Sequence, residues 1–255
     1  MKKLLLFLLL TIQSLIGFAQ NPADIDFAFE YTALNDHVSV LKIQNDGKIL
    51  VGGAFTNYNN RLTRLNSDGS KDISFNIGTG FDAIGDSEGN IQFIEIQSDG
   101  KILVVGNFAN FNGQTQNRIV RLNIDGSKDD TFNCMVDPNL FSIDNIAIQS
   151  DGKILVGGYF YGSFPVYQIF RLNSDGSIDT TFDTGTGFND YVNSIKIQSD
   201  GKILVGGRFT SFNGQTSNRL LRLNSDGSKD TSFNDIGSGF NDEVYTILIQ
   251  SDGKI

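Results

Sequence analysis

Histidine and cysteine occur once each in this chain, as His37 and Cys134. A single histidine leaves Ser-His-Asp machinery and histidine-based zinc clusters almost nothing to work with. A single cysteine permits no intramolecular disulfide, so packing must stabilise the fold, and Cys134 reads as a buried apolar residue rather than a reactive thiol. Positive charge is also scarce. There are 20 Lys and Arg against 29 Asp and Glu, a formal net charge of −9. An acidic surface repels phosphate backbones, which argues against nucleic acid as a partner. Helical periodicity is missing from residue 20 onward, and no later segment is apolar for long enough to span a bilayer. A Gly-rich phosphate loop is missing too: "GTGF" at 185–188 and "GSGF" at 237–240 precede no helix and read as loop glycines.

The one long apolar run stands at the start. "MKKLLLFLLLTIQSLIGFAQ" has Lys2 and Lys3, an apolar stretch over 4–10, then small residues Gly17 and Ala19. That is the pattern of a secretory signal peptide, assigned to residues 1–19. Thr11, Gln13 and Ser14 interrupt the run before it reaches the roughly 20 residues of a spanning helix. No cysteine sits at the junction to take a lipid. Loss of Lys2 and Lys3 with the leader takes the formal charge from −9 to −11. The mature chain is expected to be secreted or held at the cell surface, with no membrane span.

Repetition dominates what remains. "IQSDGKILVGG" occurs at 148–158 and again at 197–207, with close versions at 43–53 and 96–106 and a fifth beginning at Ile249. A second word, "RLNSDGS", starts at Arg64, Arg171 and Arg222, and as "RLNIDGS" at Arg121. An acidic residue follows each, at Asp72, Asp129, Asp179 and Asp230, and Asp24 fits the same slot. Units therefore run over 24–71, 72–128, 129–178 and 179–229, with a partial unit over 230–255, all within a repeat domain covering 20–255. Before the first turn, positions alternate: Leu41-Lys42-Ile43, Ile94-Glu95-Ile96, Ile146-Ala147-Ile148 and Ile195-Lys196-Ile197 keep aliphatic outer residues and a variable middle one. This is a strand with one buried face. Asp-Gly supplies the positive φ angles of a tight hairpin turn. The return strand is apolar at consecutive positions, as for a strand covered on both sides. Its paired glycines, such as Gly157-Gly158, imply a bulge or close backbone approach. "RLLRLN" at 219–224 reads as a third strand and "DTSFN" at 230–234 as a short fourth.

Three to four antiparallel strands in about 50 residues match a β-propeller blade, which covers its faces by stacking on its neighbours. The fold class is all-β, a propeller-like array; a β-solenoid whose unit spans two coils is the alternative. The composite pattern of the two words, "IQSDGKILVGG" followed by "RLN.DGS.D..F", resembles the delta-60 repeat, a tandem module of secreted bacterial proteins. The resemblance implies a propeller-like fold, longer parents with more repeats, and no particular activity. The chain stops inside a hairpin, "SDGKI", so the array is expected to be incomplete, leaving a sheet edge uncovered.

Candidate functional residues should lie where units differ. His37 aligns with Tyr191 and Glu243 and reads as a variable surface position. The recurring arginines are expected to bond a carboxylate or carbonyl within the blade. "NSDGSKD" at 224–230 and its equivalents set oxygens at positions one, three and seven of a turn, which makes calcium the one cofactor to consider, although the spacing is not that of an EF-hand. Two segments break the repeat. "FDAIGDSEGNI" at 81–91 is longer than its counterpart and carries Asp82, Asp86 and Glu88. "YFYGSFPVYQIF" at 159–170 replaces polar "FNGQT" with aromatics, of which Tyr159, Tyr161, Phe164 and Tyr167 form a possible platform for a sugar ring or a partner protein. The function expected is that of a non-catalytic exported scaffold that presents loops for protein or glycan binding, or spaces another domain, at the cell surface. The alternative is a polysaccharide hydrolase with carboxylates from the irregular loops, placed about 5–9.5 Å apart.

Overall fold

The computed structural model describes residues 34–57, 61–83, 89–116, 118–134, 140–160, 167–233 and 239–255. Among these, all regular structure is β, and no helix is long and apolar enough to cross a membrane. The leader lies outside the described residues.

Each of the four full units builds one three-stranded antiparallel sheet. The segments 72–76, 129–133, 179–183 and 230–233, which open the next unit in sequence, fold back on the sheet before them, Asp129 N donating to Arg121 O for example, and are counted with that sheet's unit from here on. In the first, β1 (Val38–Ile43), β2 (Ile49–Gly53) and β3 (Leu62–Leu65) lie in chain order. The second unit adds a small outer sheet. Its strands are β4 (Phe81–Ala83), β5 (Ile91–Ile96), β6 (Ile102–Gly106), β7 (Phe108–Phe111), β8 (Gln114–Thr115) and β9 (Ile119–Leu122). They pair as β5-β6-β9 and β4-β7-β8. The third sheet is β10 (Leu140–Ile148), β11 (Ile154–Phe160) and β12 (Tyr167–Leu172). In the fourth, β13 (Val192–Ile197), β14 (Ile203–Gly207) and β17 (Leu220–Leu223) form the sheet, with β15 (Ser211–Phe212) and β16 (Gln215–Thr216) as a hairpin beside it. "FNGQT", which reads as a plain loop in sequence, is thus a hairpin in two units. Its Asn-Gly pairs carry the two positive φ angles that tight hairpins need, 52° and 71° at Asn112 and Gly113.

The middle strand of each sheet is buried on both faces, as its apolar run requires. Alternate residues enter different cores. Leu50 packs with Ile91, Ile94 and Phe108 of the second unit, whereas Ile49 and Val51 join Phe55, Val38 and Leu41. Likewise Leu103 and Val105 meet Ile143, Ile146 and Val156, and Leu155 meets Val192, Ile195 and Val205. The cores at the boundaries are thus shared between neighbouring units, while the cluster around Phe55 lies within the first unit. Cys134, half-buried, packs at the edge of the second of these cores.

The glycines opposite the first strand do both jobs expected of them. The register shifts between Val38 and Val40, between Ile91 and Phe93, and between Val192 and Ser194, marking a bulge at each. A Cβ on Gly106 would stand 2.1 Å from the Asn90 carbonyl oxygen, and one on Gly206 would stand 2.7 Å from Val244 of the fifth unit.

Two local expectations are corrected. The "DTSFN" segment and its equivalents are not a fourth strand. Lys71, Lys128, Ile178 and Lys229 each make an isolated bridge to the end of the third strand, and a turn follows at once. The first hairpin turn does not use Asp in a left-handed conformation. Only the glycine has positive φ, 84° at Gly100 and Gly152. Gly100 N donates to Gln97 O and Gln97 N to Lys101 O, which is a type I turn closed by a glycine bulge. Asp99 serves by accepting the Lys101 amide at 3.1 Å.

Candidate functional site

The recurring letters of both words converge on one buried node per unit. In the second unit Asp129 is its centre. Its Oδ2 accepts Arg121 Nε at 2.6 Å and Lys101 Nζ at 2.8 Å. Its Oδ1 accepts the Thr131 amide and hydroxyl at 3.0 and 2.6 Å. The Arg121 guanidinium lies 4.7 Å from the Phe132 ring centre, and its Nη1 donates to Gln97 Oε1 and, at 2.5 Å, to the Ser174 carbonyl of the third unit. The same set recurs around Asp72, Asp179 and Asp230. Arg64 reaches the Ile124 carbonyl and Arg171 the Ser225 carbonyl, so both also bridge to the next unit. The expectation for these arginines holds for the carboxylate, but the carbonyl belongs to the following blade.

Arg64, Asp72, Arg121, Asp129, Arg171 and Asp179 are all more than nine-tenths buried. For Asp72, burial pushes the carboxyl pKa up, but hydrogen bonds from Ser74, Lys48 and Arg64 outweigh it and hold the group well below the usual carboxylate range. The same balance, led by burial and reversed by the Lys and Thr donors, lowers Asp129 and Asp179. Lowered native pKa values stabilise the fold above the unfolded value of about 3.9 and cease to do so as pH falls below it toward the native one. Stability should therefore fall steeply below about pH 4. The urea midpoint followed against pH should report uptake on unfolding of about one proton per node. A midpoint that is flat between pH 5 and about pH 2.5 would contradict this reading.

The node also accounts for the oxygens considered for calcium. Both oxygens of Asp72 are taken by protein donors, Asp68 Oδ1 accepts the Ser70 amide and hydroxyl, and Asn66 turns its amide nitrogen to Ser70 Oγ. Among the described residues no three of His, Cys, Asp and Glu gather closely enough to hold a metal ion.

Those symmetry-breaking residues that are described lie at the opposite, glycine end of the sheets. Asp82 is exposed in β4, opposite Asn110 of β7. Asp86 and Glu88 lie outside the described residues. Tyr159 and Tyr167 are register partners across β11 and β12, while Tyr161 and Phe164 lie outside the described residues. Sequence reading missed Arg61, which ties both ends of the 81–89 loop to the first unit. Its Nε donates to Gly89 O at 2.5 Å and its Nη1 to Phe81 O at 3.2 Å. Arg61 has a φ of 81°, and Arg118 and Arg219 in the same slot also have positive φ, a recurrence that could have flagged the position. His37 is exposed and pairs with Asp36 at 3.0 Å. Its carbonyl accepts the Ala54 amide as the Tyr191 carbonyl accepts that of Arg208. The contact that recurs in this slot is made by the backbone, which fits a side chain that varies.

Comparison with known proteins agrees with the fold. Residues 44–75, 97–132, 149–182 and 198–233, together more than half of the chain, match a family model described as "Domain of unknown function (DUF5122) beta-propeller". Each matched segment begins at the node's glutamine and ends at its phenylalanine. The propeller-type repeat expected from the resemblance is thereby borne out. An extracellular domain assigned to a hybrid two component system of B. thetaiotaomicron is 15% identical with a TM-score of 0.54, over 85% of this chain and 25% of that one. A protein of unknown function from Bacteroides caccae is 18% identical, with a TM-score of 0.40 over 74% of this chain and 61% of that one. PorZ, a surface component of the type-IX secretion system of Porphyromonas gingivalis, is 13% identical with a TM-score of 0.41, over 73% and 24% of the two chains. The chain thus spans a quarter of the first of these proteins and less than two thirds of the others. No curated protein matches it.

Proposed function

The chain belongs to the DUF5122 beta-propeller family, and from that premise we propose that it is an exported, non-catalytic repeat scaffold presenting loops to a protein or glycan at the cell surface. One observation carries the reading. The aspartates, lysines and arginines that recur at the nodes are consumed inside the molecule, holding one unit to the next. What departs from symmetry is the pair of segments 81–91 and 159–170, whose described residues Asp82, Tyr159 and Tyr167 lie at one end of the sheets. Variable loops on a rigid repeated frame are the usual arrangement of a recognition surface. Export rests on the leader pattern of residues 1–19.

The test is direct. Full-length chain expressed in a bacterium should be recovered outside the cytoplasm with Gln20 as its first residue, and should release no reducing ends from polysaccharides. Retention with the leader intact would refute export. Hydrolysis abolished by Asp82→Ala would replace the scaffold reading with the hydrolase one.

A further inference from the structure

The turn ends of the second and third sheets leave a cleft of about 440 Å³ between them. Ile96 and Ile148 line it, with Gln97, Gln149, Ser150 and Ser174. This lies at the opposite end of the sheets from the loops. We propose that the cleft binds a unit of a neutral saccharide, which would give the scaffold a second recognition face beyond the one its loops form.

Gln97 is the central observation. The residue is only 8% exposed, and its Oε1 is turned to Arg121 Nη1. Gln97 lines the cleft, and with Oε1 committed to Arg121 its amide nitrogen is left for a partner outside the protein's own bonds. A side-chain amide carries two N–H donors, which a ligand oxygen in the cleft can accept. Gln149 is oriented alike, since its Oε1 accepts Arg171 Nη1 at 3.3 Å. The cleft thus offers amide donors from both sides, serine hydroxyls that donate or accept, and the Asp99 carboxylate as an acceptor. Ile96 and Ile148 add apolar wall. Arg121, the one cation lining it among the described residues, shares Asp129 with Lys101, and the Asp99 carboxylate in the lining balances the charge that is left. The site therefore lacks the free positive charge an anion needs and fits a ligand of neutral hydroxyls and C–H faces. Its volume lies in the range of about 300–1,000 Å³ typical of small-ligand sites.

The neighbouring boundaries carry the same letters with one informative change. Gln149, Gln198 and Ser225 repeat the set between the third and fourth units, with Arg171 again holding the Ser225 carbonyl. Between the first and second units Ile124 takes the place of Ser174. Its Cδ1 lies over the Gly100 turn, 3.0 Å from where a Cβ on that glycine would stand. A recurring site suits a polymer whose own units recur. Ile124 also shows that this turn accepts an isoleucine without loss of its form.

That substitution supplies the test. The ¹⁵N-labelled full chain is titrated with maltohexaose, cellohexaose, mannohexaose and xylohexaose, and separately with an oligogalacturonate and an unstructured Gly-Ser peptide. At least one neutral oligosaccharide should shift the side-chain amide signals of Gln97 and Gln149. Gln97→Ala should weaken that binding about tenfold. Ser174→Ile should abolish it while leaving the thermal midpoint and backbone spectrum of the native chain. The inference is overturned if no neutral oligosaccharide moves those signals, if the shift survives Ser174→Ile, or if only the anionic sugar or the peptide binds there. Binding that disappears with Tyr159→Ala/Tyr167→Ala but ignores Ser174→Ile would support the loop reading and overturn this one.

Discussion

Asp129→Ala should lower the unfolding free energy by about 3 kcal/mol or more, the range seen when one partner of a buried ion pair is removed. The carboxylate accepts Arg121, Lys101 and Thr131 together, and the Arg121 side chain is only 7% exposed, so it cannot turn to water without leaving the Ser174 carbonyl and the Phe132 ring. Lys101, 29% exposed, can find solvent and contributes less to the loss. Urea denaturation of the purified chain measures the effect. Adding Arg121→Met should return part of the stability, because no uncompensated buried charge then remains. A loss below about 1 kcal/mol for Asp129→Ala would mean that the node behaves as a surface ion pair. The corresponding change at Asp230 should cost less, since Arg222 is 17% exposed.

How much of this was legible beforehand depends on which contacts are local. Alternation in Ile94-Glu95-Ile96 reports the buried face of β5 because side chains in a strand change face at every residue. The bulge could be read from Gly157-Gly158 because a missing Cβ has few other uses inside a strand. The node could not be read in this way. Gln97, Lys101, Arg121, Asp129 and Thr131 are spread over 35 positions, and each is of a type ordinarily found at the surface. Only the pairing of β5 with β6 and β6 with β9 brings them together. Turn chemistry was misjudged for a similar reason. Asp-Gly fits two hairpin types, and the choice between them depends on loop length and flanking register rather than on the dipeptide. For the candidate loops, sequence located the departures from symmetry at 81–91 and 159–170. It did not reveal that Arg61, a residue of the previous unit, fastens the first of them.

Even the variable middle position of the first strand has an inter-unit role, since Lys42 of β1 meets Glu95 of β5 at 2.6 Å. Both are about one-third exposed, so this pair sets register more than it adds stability. Register between units thus rests chiefly on the cores and on backbone contacts at the second turn, where one glycine per unit touches its neighbour.

That contact gives the other large effect. Gly176→Ala should destabilise the chain by about 3 kcal/mol, from the left-handed conformation and the overpacking combined. Gly176 has a φ of 90°, and a Cβ there would stand 2.8 Å from the Asn133 backbone of the preceding unit. The same turn receives the Asn133 amide on the Asp175 carbonyl at 2.8 Å and Arg121 on the Ser174 carbonyl. A methyl group therefore pushes apart the strip where the second and third units are fastened. Gly113→Ala separates the two causes. Its φ of 71° is also left-handed, but no atom lies within 4 Å of the added carbon. It should cost about 1 kcal/mol, the conformational part alone. Chemical denaturation of the two variants side by side makes the comparison, and equal losses would show that the second turn bears no load between units. In a linear array an interface weakened in this way uncouples neighbours. Hydrogen exchange in Gly176→Ala should therefore speed up first in β5, β6 and β9 and in β10 to β12, and least in β14 and β17.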